Sequence, residues 1–559
     1  MKIPEGTVER QAFYSKVLSQ CLVSREDRYQ FNLALRNYYL FGTKDTGGCD
    51  YNKIASTIDT LWSFMYASDT AKFAMHLGTS ANDGDLAKVP ALVAEINDQW
   101  RASRSNLIFS LAGKWSLVYG SMLFKTLWHR GQAKSFYIEP HQFGVLREDV
   151  MELDDQEAFV HVYQLTRTQL ENQLQDHPRK DIILAAAGQN AFSQEDSNPV
   201  GEGLGRLILS SGVSMGVGPA TGGGSIEGGI GAVAGGMYDY KPQVEAELIE
   251  MNELWVWNDD INDYQVVTMA SPNIVVFDRK NFFIPETHPY TKLMPEHDTY
   301  DYFWGASFSA RLTGLQDWRD QRMRQIKELL EKQADPAMSF TGATGIAEEK
   351  LQALRRAGGQ VSFSMPGAKA EIHAPELPSG MFSEIQEIDS MFADAAGISA
   401  ILQGHGSAGV RSHGQADLMA RLGSSRIKQK ALVVEEVASR LGTLMLRTVQ
   451  VYSDQRFTSL EKGPDKDPLT FVAEQFTTDY EVKIDAHSSS PVFVEDQRET
   501  AIMLLKAKAI NRASFLEMID PPNKQLLLAQ LKDIEAGEAK AQQVQLQLAQ
   551  EKVANKAHG

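Results

Sequence analysis

Gly212-Val-Ser214-Met-Gly216 has the G-x-S-x-G spacing of a nucleophile elbow, where a serine on a tight strand-to-helix turn attacks a carbonyl carbon. Leu207-Ile-Leu209 ahead of it is apolar enough for the strand. The helix needed to aim the hydroxyl is missing, because Val217-Gly-Pro-Ala-Thr-Gly222 cannot form one. Gly229-Ile-Gly231-Ala-Val-Ala234 fits the dinucleotide fingerprint G-x-G-x-x-A, yet no strand precedes it and no helix-forming run follows to meet a pyrophosphate. Gly113-Lys114 is not a phosphate-binding loop, since Ile108 stands where the first glycine belongs and Trp115 where Ser or Thr belongs. Asp259, Asp260 and Asp263 are hard oxygen donors suited to calcium, but they lack the loop glycine and closing glutamate of an EF-hand and read better as a polar hairpin turn. His405 and His413 have no metal-ligand spacing. No catalytic, cofactor-binding or metal set is therefore expected. The enzyme alternative left standing is a hydrolase or nucleotide-binding enzyme built on the glycine-rich segment 201–236.

The chain has 559 residues, beyond the ~250–300 at which single cores stop growing, so several sub-structures are expected. Its 72 acidic and 55 basic side chains leave a net charge of −17, which argues against a protein that grips DNA tightly on a basic face. Cys21 and Cys49 are the only cysteines, too few for a disulfide framework or a zinc quartet, and a reducing compartment is expected. Met1-Lys-Ile-Pro-Glu-Gly6 lacks the apolar core of a signal peptide. The most apolar long stretch, Asn106 to Trp128, is interrupted by Lys114 and Lys125 and is expected to be a buried amphipathic helix, not a membrane span.

Residues 5 to about 130 read as mostly helical, with Ile54, Ile58, Leu61 and Met65 on one helix and Ile96, Trp100, Leu107, Leu111, Trp115 and Val118 on another. Short alternating runs then predict strands at Phe136–Ile138, Phe143–Leu146, Phe159–Tyr163, Glu253–Trp257, Tyr264–Met269 and Asn273–Phe277. Helices and strands segregate along the chain, so the class is α+β, mainly helical. Between the strand groups, the glycines from Gly201 to Gly236 suit a surface insertion. A helix over Ser307 to Ala334 is lined by Leu312, Leu315, Trp318 (with Arg319), Arg322, Ile326, Leu329 and Leu330 and stopped by Asp335-Pro336. A small β-α-β follows: Ala337–Phe340, Ile346–Ala357 and Gln360–Met365.

Two rods organise the rest. From Met381 the apolar positions Phe382, Ile385, Ile388, Met391 (or Phe392), Ala395, Ile398 and Leu402 predict a helix of about 24 residues, roughly 36 Å long. It dissolves in the glycine-rich Gly404–Arg411. A longer helix then starts at Ser412, with Gln415 at capping-box spacing, and runs to Tyr452. Strands are expected at Leu469–Glu474 and Tyr480–Ile484, and a short helix at Asn511–Ile519. Past Asn523, Leu527 to Leu548 form a narrow stripe resembling a coiled-coil seam, in a helix that either joins a crown or barrel or frays.

Several short motifs carry a resemblance. Trp304-Gly305, Leu315-Gln-Asp-Trp318, Pro375-Glu-Leu-Pro378, Ile388-Asp389 with Phe392, Gly397-Ile-Ser399, Leu402-Gln-Gly404 and Gly409-Val-Arg-Ser412 with Gln415-Ala416 resemble the portal, or head–tail connector, proteins of tailed bacteriophages, of the short-tailed type. The likeness spans roughly 40–530 and leaves the insertion at 187–240 unmatched. It implies a wing at 1–302, a first stem helix at 303–335, a clip at 336–378, a second stem helix at 379–403, a tunnel loop at 404–411, a long wing helix with strands at 412–490, and crown helices at 491–559. It also implies a dodecameric homo-oligomer at one capsid vertex of the virion, assembled in the host cytoplasm. Double-stranded DNA would pass through without sequence specificity, and terminase, tail adaptors, major capsid and scaffolding proteins would be its partners. The mechanism would be geometric, with no cofactor, no metal and no membrane.

On that reading His405, Gly406, Ser407, Gly409, Arg411 and His413 face the DNA. Arg421, Arg426, Lys428 and Lys430 form either a basic belt or pairs with carboxylates of the neighbouring subunit. Glu348, Glu349, Lys350, Arg355 and Arg356 make the clip's docking surface. An acidic ring would repel phosphate and keep a passing duplex from sticking; acidity for solubility alone is the other account.

Overall fold

The structure is a computed structural model. It describes residues 1–531 except 189–247, 342–368, 399–424, 485–500 and shorter stretches between elements. Helices α1 (Thr7–Cys21), α2 (Arg25–Phe41) and α3 (Lys53–Met65) open the chain, followed by strand β1 (Phe73–Leu77) and helices α4 (Asp83–Ala102) and α5 (Ser105–Tyr119). Asn52 caps α3 by accepting the Ala55 N–H at 3.0 Å. Ile54, Ile58, Leu61 and Met65 are all buried, as their spacing predicts.

Two expectations fail in this region. The stripe from Ile96 to Val118 belongs to two helices, because Arg104 takes a left-handed φ of 56° between α4 and α5. The helical register restarts there, so Leu107 and Leu111 point outward at 58% and 37% exposure while Phe109, Ala112, Leu117 and Val118 fill the core. Nor is Asn106 to Trp128 one helix. It ends at Tyr119, and Gly120 has φ +100°, where a Cβ would sit 3.0 Å from the Trp304 carbonyl oxygen. The apolar run continues as β2 (Met122–His129), which pairs on both edges, with β3 (Gln132–Ile138) and β9 (Tyr290–Leu293).

A second, five-stranded antiparallel sheet runs β4 (Phe143–Val145), β5 (Ala158–Thr166), β6 (Leu248–Asn258), β7 (Asp263–Ala270) and β8 (Ile274–Lys280) in that order. Helices α6 (Arg167–Gln173) and α7 (Lys180–Gly188) pack Leu170, Leu174 and Ile183 on Ile249, Met251 and Val276 of this sheet. The carboxylates considered for calcium serve the β6–β7 turn: Asp263 accepts the Asn281 amide and the Glu286 N–H, each at 3.0 Å, and Asp259 lies 3.0 Å from the amino group of Met1. Among the described residues no group of three or more His, Cys, Asp or Glu is placed to hold a metal.

Helix α8 (Phe308–Ala334) leaves this body, and β10 (Ala337–Thr341) and β11 (Lys369–His373) pair antiparallel beyond it. The partner of β10 is thus residues 369–373; the strand expected at Gln360–Met365 lies outside the described residues. Helix α9 (Gly380–Ala396) ends earlier than the expected Leu402, because Gly397 turns left-handed at φ 69° and its N–H closes on Ala393 and Asp394. Helix α10 (Ser425–Tyr452) is the axis of the largest core, burying Ile427, Ala431, Val434, Ala438, Leu441, Met445 and Val449. The proposed start of that helix at Ser412 lies outside the described residues. Strands β12 (Arg456–Ser459) and β13 (Leu469–Val472) form a hairpin, β14 (Tyr480–Ile484) returns to pair with β1, and α11 (Arg512–Ile519) follows. The seam from Leu527 to Leu548 falls almost wholly outside the described residues. The class is α+β, and no described helix is long and apolar enough to cross a membrane.

Candidate functional site: the paired helices and their polar clasps

Helices α8 and α9 run antiparallel. Arg319 Nε donates to Asp389 at 3.1 Å, Arg322 Nη2 to Glu384 at 2.8 Å, and Gln333 Nε2 to the Pro375 carbonyl at 2.8 Å, so positions rising along one helix meet positions falling along the other. Trp318 Nε1 also donates to Glu384, at 3.0 Å. Helix α9 carries four carboxylates and no base, so its inner face depends on the arginines of α8 for neutralisation. Ile388, Phe392 and Ala396 on α9 supply the apolar contact to the main core.

The pair is bolted to the body through Gln316, which is fully buried. Its amide oxygen accepts the Lys53 N–H at 3.0 Å, and its NH2 group donates to the Tyr51 carbonyl and to Asp320, both at 3.1 Å. The Arg319 guanidinium lies over the Tyr51 ring at 4.9 Å, and Lys53 Nζ stands 4.0 Å from Asp389. Asp320 titrates above the usual carboxylate range because burial outweighs its hydrogen bond from Gln316.

A second clasp sits at the start of α10. Glu296, on the loop after β9, is buried and faces Arg311 of α8 at 3.5 Å and Lys430 of α10 in a closer ion pair. Burial lowers the Lys430 ammonium to about 8, and it also lies over the Phe308 ring. The ends of the segment between α9 and α10 are close: a Cβ on Gly397 would meet the Arg426 side chain at 3.4 Å. The described residues on either side of 399–424 therefore lie next to each other.

The structure treats the sequence-predicted residues unevenly. His405, Gly406, Ser407, Gly409, Arg411, His413 and Arg421 lie outside the described residues, as do Glu348, Glu349, Lys350, Arg355 and Arg356 and the whole of 201–236. Arg426 is exposed and Lys428 partly exposed on the first turn of α10. Lys430 pairs with Glu296 of its own chain. Sequence reasoning assigned no role to Asp320, Glu384 or Glu296, and named Gln316 and Asp389 only as parts of the family motifs. The available signal was the appearance of Arg319 and Arg322 on a stripe of apolar residues, since charges there need partners from a facing element.

The sequence model of the phage SU10 portal protein matches residues 122–531. No curated protein sequence matches the chain. Among solved structures, a chain of the "Virion of native gene transfer agent (GTA) particle" is similar at 10% identity and a TM-score of 0.37, with 84% of this chain and 89% of that one covered. The family match takes in the five-stranded sheet, the antiparallel helix pair, α10 and its closing strands, well over half of the sequence. The chain belongs to the phage SU10 portal protein family, and is a structural protein of the virion, not an enzyme.

Proposed function

We propose that this portal protein closes into a dodecameric ring at one capsid vertex and forms the channel through which double-stranded DNA is packaged and ejected. The observation that carries the reading is the antiparallel pair α8 and α9, anchored to the body by Gln316 and Asp389 and capped at its far end by the β10–β11 pair. Such a pair is a stem: two helices whose register is set by charge and whose far end is held away from the core. In this reading residues 1–302 are the wing, 303–335 and 379–403 the stem, 336–378 the clip, 404–411 the tunnel loop, 412–490 the long wing helix with its strands, and 491–559 the crown. His405, Gly406, Ser407, Gly409, Arg411 and His413 face the passing duplex, and Arg421, Arg426 and Lys428 stand behind them. The clip, with Glu348, Glu349, Lys350, Arg355 and Arg356, docks terminase during packaging and tail adaptors afterwards. The wing meets the capsid and scaffolding proteins, and assembly takes place in the host cytoplasm.

Native mass spectrometry of the purified chain, with negative-stain class averages, tests this. The expected result is a closed ring near dodecameric mass with a central hole. Monomers that also fail to assemble with capsid and scaffolding proteins would overturn it.

A further inference from the structure

The β2–β3 hairpin ends in a two-residue turn, since His129 faces Gln132 across the ladder and Arg130 and Gly131 lie between them. Both turn residues have positive φ, 51° and 82°, the combination that suits Asn-Gly and twists with the strands. An arginine holds the position where asparagine is the cheaper occupant. A Cβ on Gly131 would meet nothing within 4 Å, and His129, Arg130 and Gly131 are all exposed, so the tip stands clear of its own chain.

The surroundings of the tip are basic in a chain whose net charge is −17. Lys134 lies over the Phe136 ring at 5.1 Å, and the His129 ring meets the same phenyl edge-on at 5.8 Å. Burial, then Arg130 and Lys134, hold the His129 imidazole below its usual range. The Ala133 N–H donates to Gln99 of α4 at 2.9 Å, and Arg101 and Arg104 at the end of that helix are exposed. On the same helix Glu95 takes the Gln99 amide and Asp98 stands 4.0 Å from Arg101.

We propose that the hairpin tip, through Arg130 and Lys134 with His129 beside them, is a docking point for the phosphate backbone of double-stranded DNA on the outside of the channel. A fork of guanidinium donors on a narrow rigid turn fits phosphate oxygens bidentately. Contacts of this kind carry no base sequence, as a genome-handling protein requires. The net negative charge of the chain repels the duplex overall, so a basic tip sets where and how the duplex touches this part of the surface. The inference rests on the portal reading only in taking double-stranded DNA as the polyanion.

The test is fluorescence anisotropy of the full chain with a labelled duplex of about 30 base pairs, over roughly 50–200 mM salt. The variant Arg130→Asn with Lys134→Gln keeps the turn chemistry and removes two charges. Its affinity is expected to fall about tenfold, and the slope of log K against log salt to shrink by about two, near one per lost phosphate contact. Arg130→Lys should restore most of the slope. An unchanged slope in a variant with unchanged melting temperature overturns the proposal. So does displacement of the duplex by polyglutamate equally from both proteins, or a loss of ring closure with DNA affinity intact, which would assign the tip to an acidic protein surface. Wild-type rings with an unchanged slope in the variant would sink this inference and leave the portal reading standing; the expected slope change in a chain that never forms rings would do the reverse.

Discussion

Glu253 on β6 is held from several sides. Both its carboxylate oxygens meet Lys125 Nζ, at 2.8 and 2.7 Å, and it also accepts from Tyr290 Oη at 2.7 Å and Trp255 Nε1 at 2.9 Å. Burial pushes this carboxyl up, but Lys125, His161 and the hydrogen bonds together outweigh it and hold it below the usual range. Glu253→Ala strands a buried ammonium and is expected to cost about 3–5 kcal/mol, read from denaturant unfolding followed by tryptophan fluorescence. Lys125→Met with Glu253→Leu should recover much of that loss. His141 adds a pH dependence. Burial first, then Arg25, Arg28 and Arg36, lower its imidazole to about 3. The unfolded chain takes up this proton below pH ~6.5 while the folded one does not, so stability falls as the pH drops from about 6.5 towards 3, by up to ~1.4 kcal/mol per pH unit. Glu253 acts in the same direction below pH ~4.3, where only the unfolded carboxyl protonates. His141→Gln should flatten the upper part of that thermal-stability profile, and an unchanged profile would count against the assignment.

At the scale of elements, the α8–α9 pair is held by polar joints where a core would ordinarily use apolar packing. Gln316 ties α8 to the start of α3, so Gln316→Ala leaves the Lys53 N–H and the Tyr51 carbonyl without their partner. The expected loss is about 1–3 kcal/mol, with faster amide exchange at the α3 N-terminus than in the wild type. Helices α3 and α5 meet at a different joint. A Cβ at Gly113 would fall 1.9 Å from the Trp62 ring, which is buried and donates its Nε1–H to Ser110 at 3.1 Å. Gly113→Ala therefore forces the helices apart and is expected to lower the melting temperature in spite of alanine's better helix propensity; a rise would show that the ring moves freely.

At the scale of the molecule, charge decides how copies meet. Each chain carries −17, so a dodecameric ring would carry roughly −200 and its subunits repel one another at low salt. Ring formation is expected to speed up as ionic strength rises from about 10 to 150 mM, where the screening length falls from about 30 to 8 Å, as followed by light scattering. Assembly that slows with salt would mean that complementary ion pairs across the interface dominate.

Period and punctuation were legible in the chain by itself. The stripe of α3, the run of α8 up to its stop at Asp335-Pro336, the alternation of β5 and β7 and the apolar face of α10 all follow from local spacing, because side-chain direction repeats with the backbone. So did the family, through short motifs in and around α8 and α9. Boundaries set by a single backbone rotation were not legible: Arg104 in left-handed φ divides one stripe into α4 and α5, and Gly120 converts an apolar run from helix to strand. Neither was β1, whose partner β14 lies some four hundred residues away. The clasps at Gln316, Asp389 and Glu296 were equally hidden. A charged or amide side chain reads as solvated until the fold buries it against a partner from a distant element, and only the tertiary structure decides which partner that is.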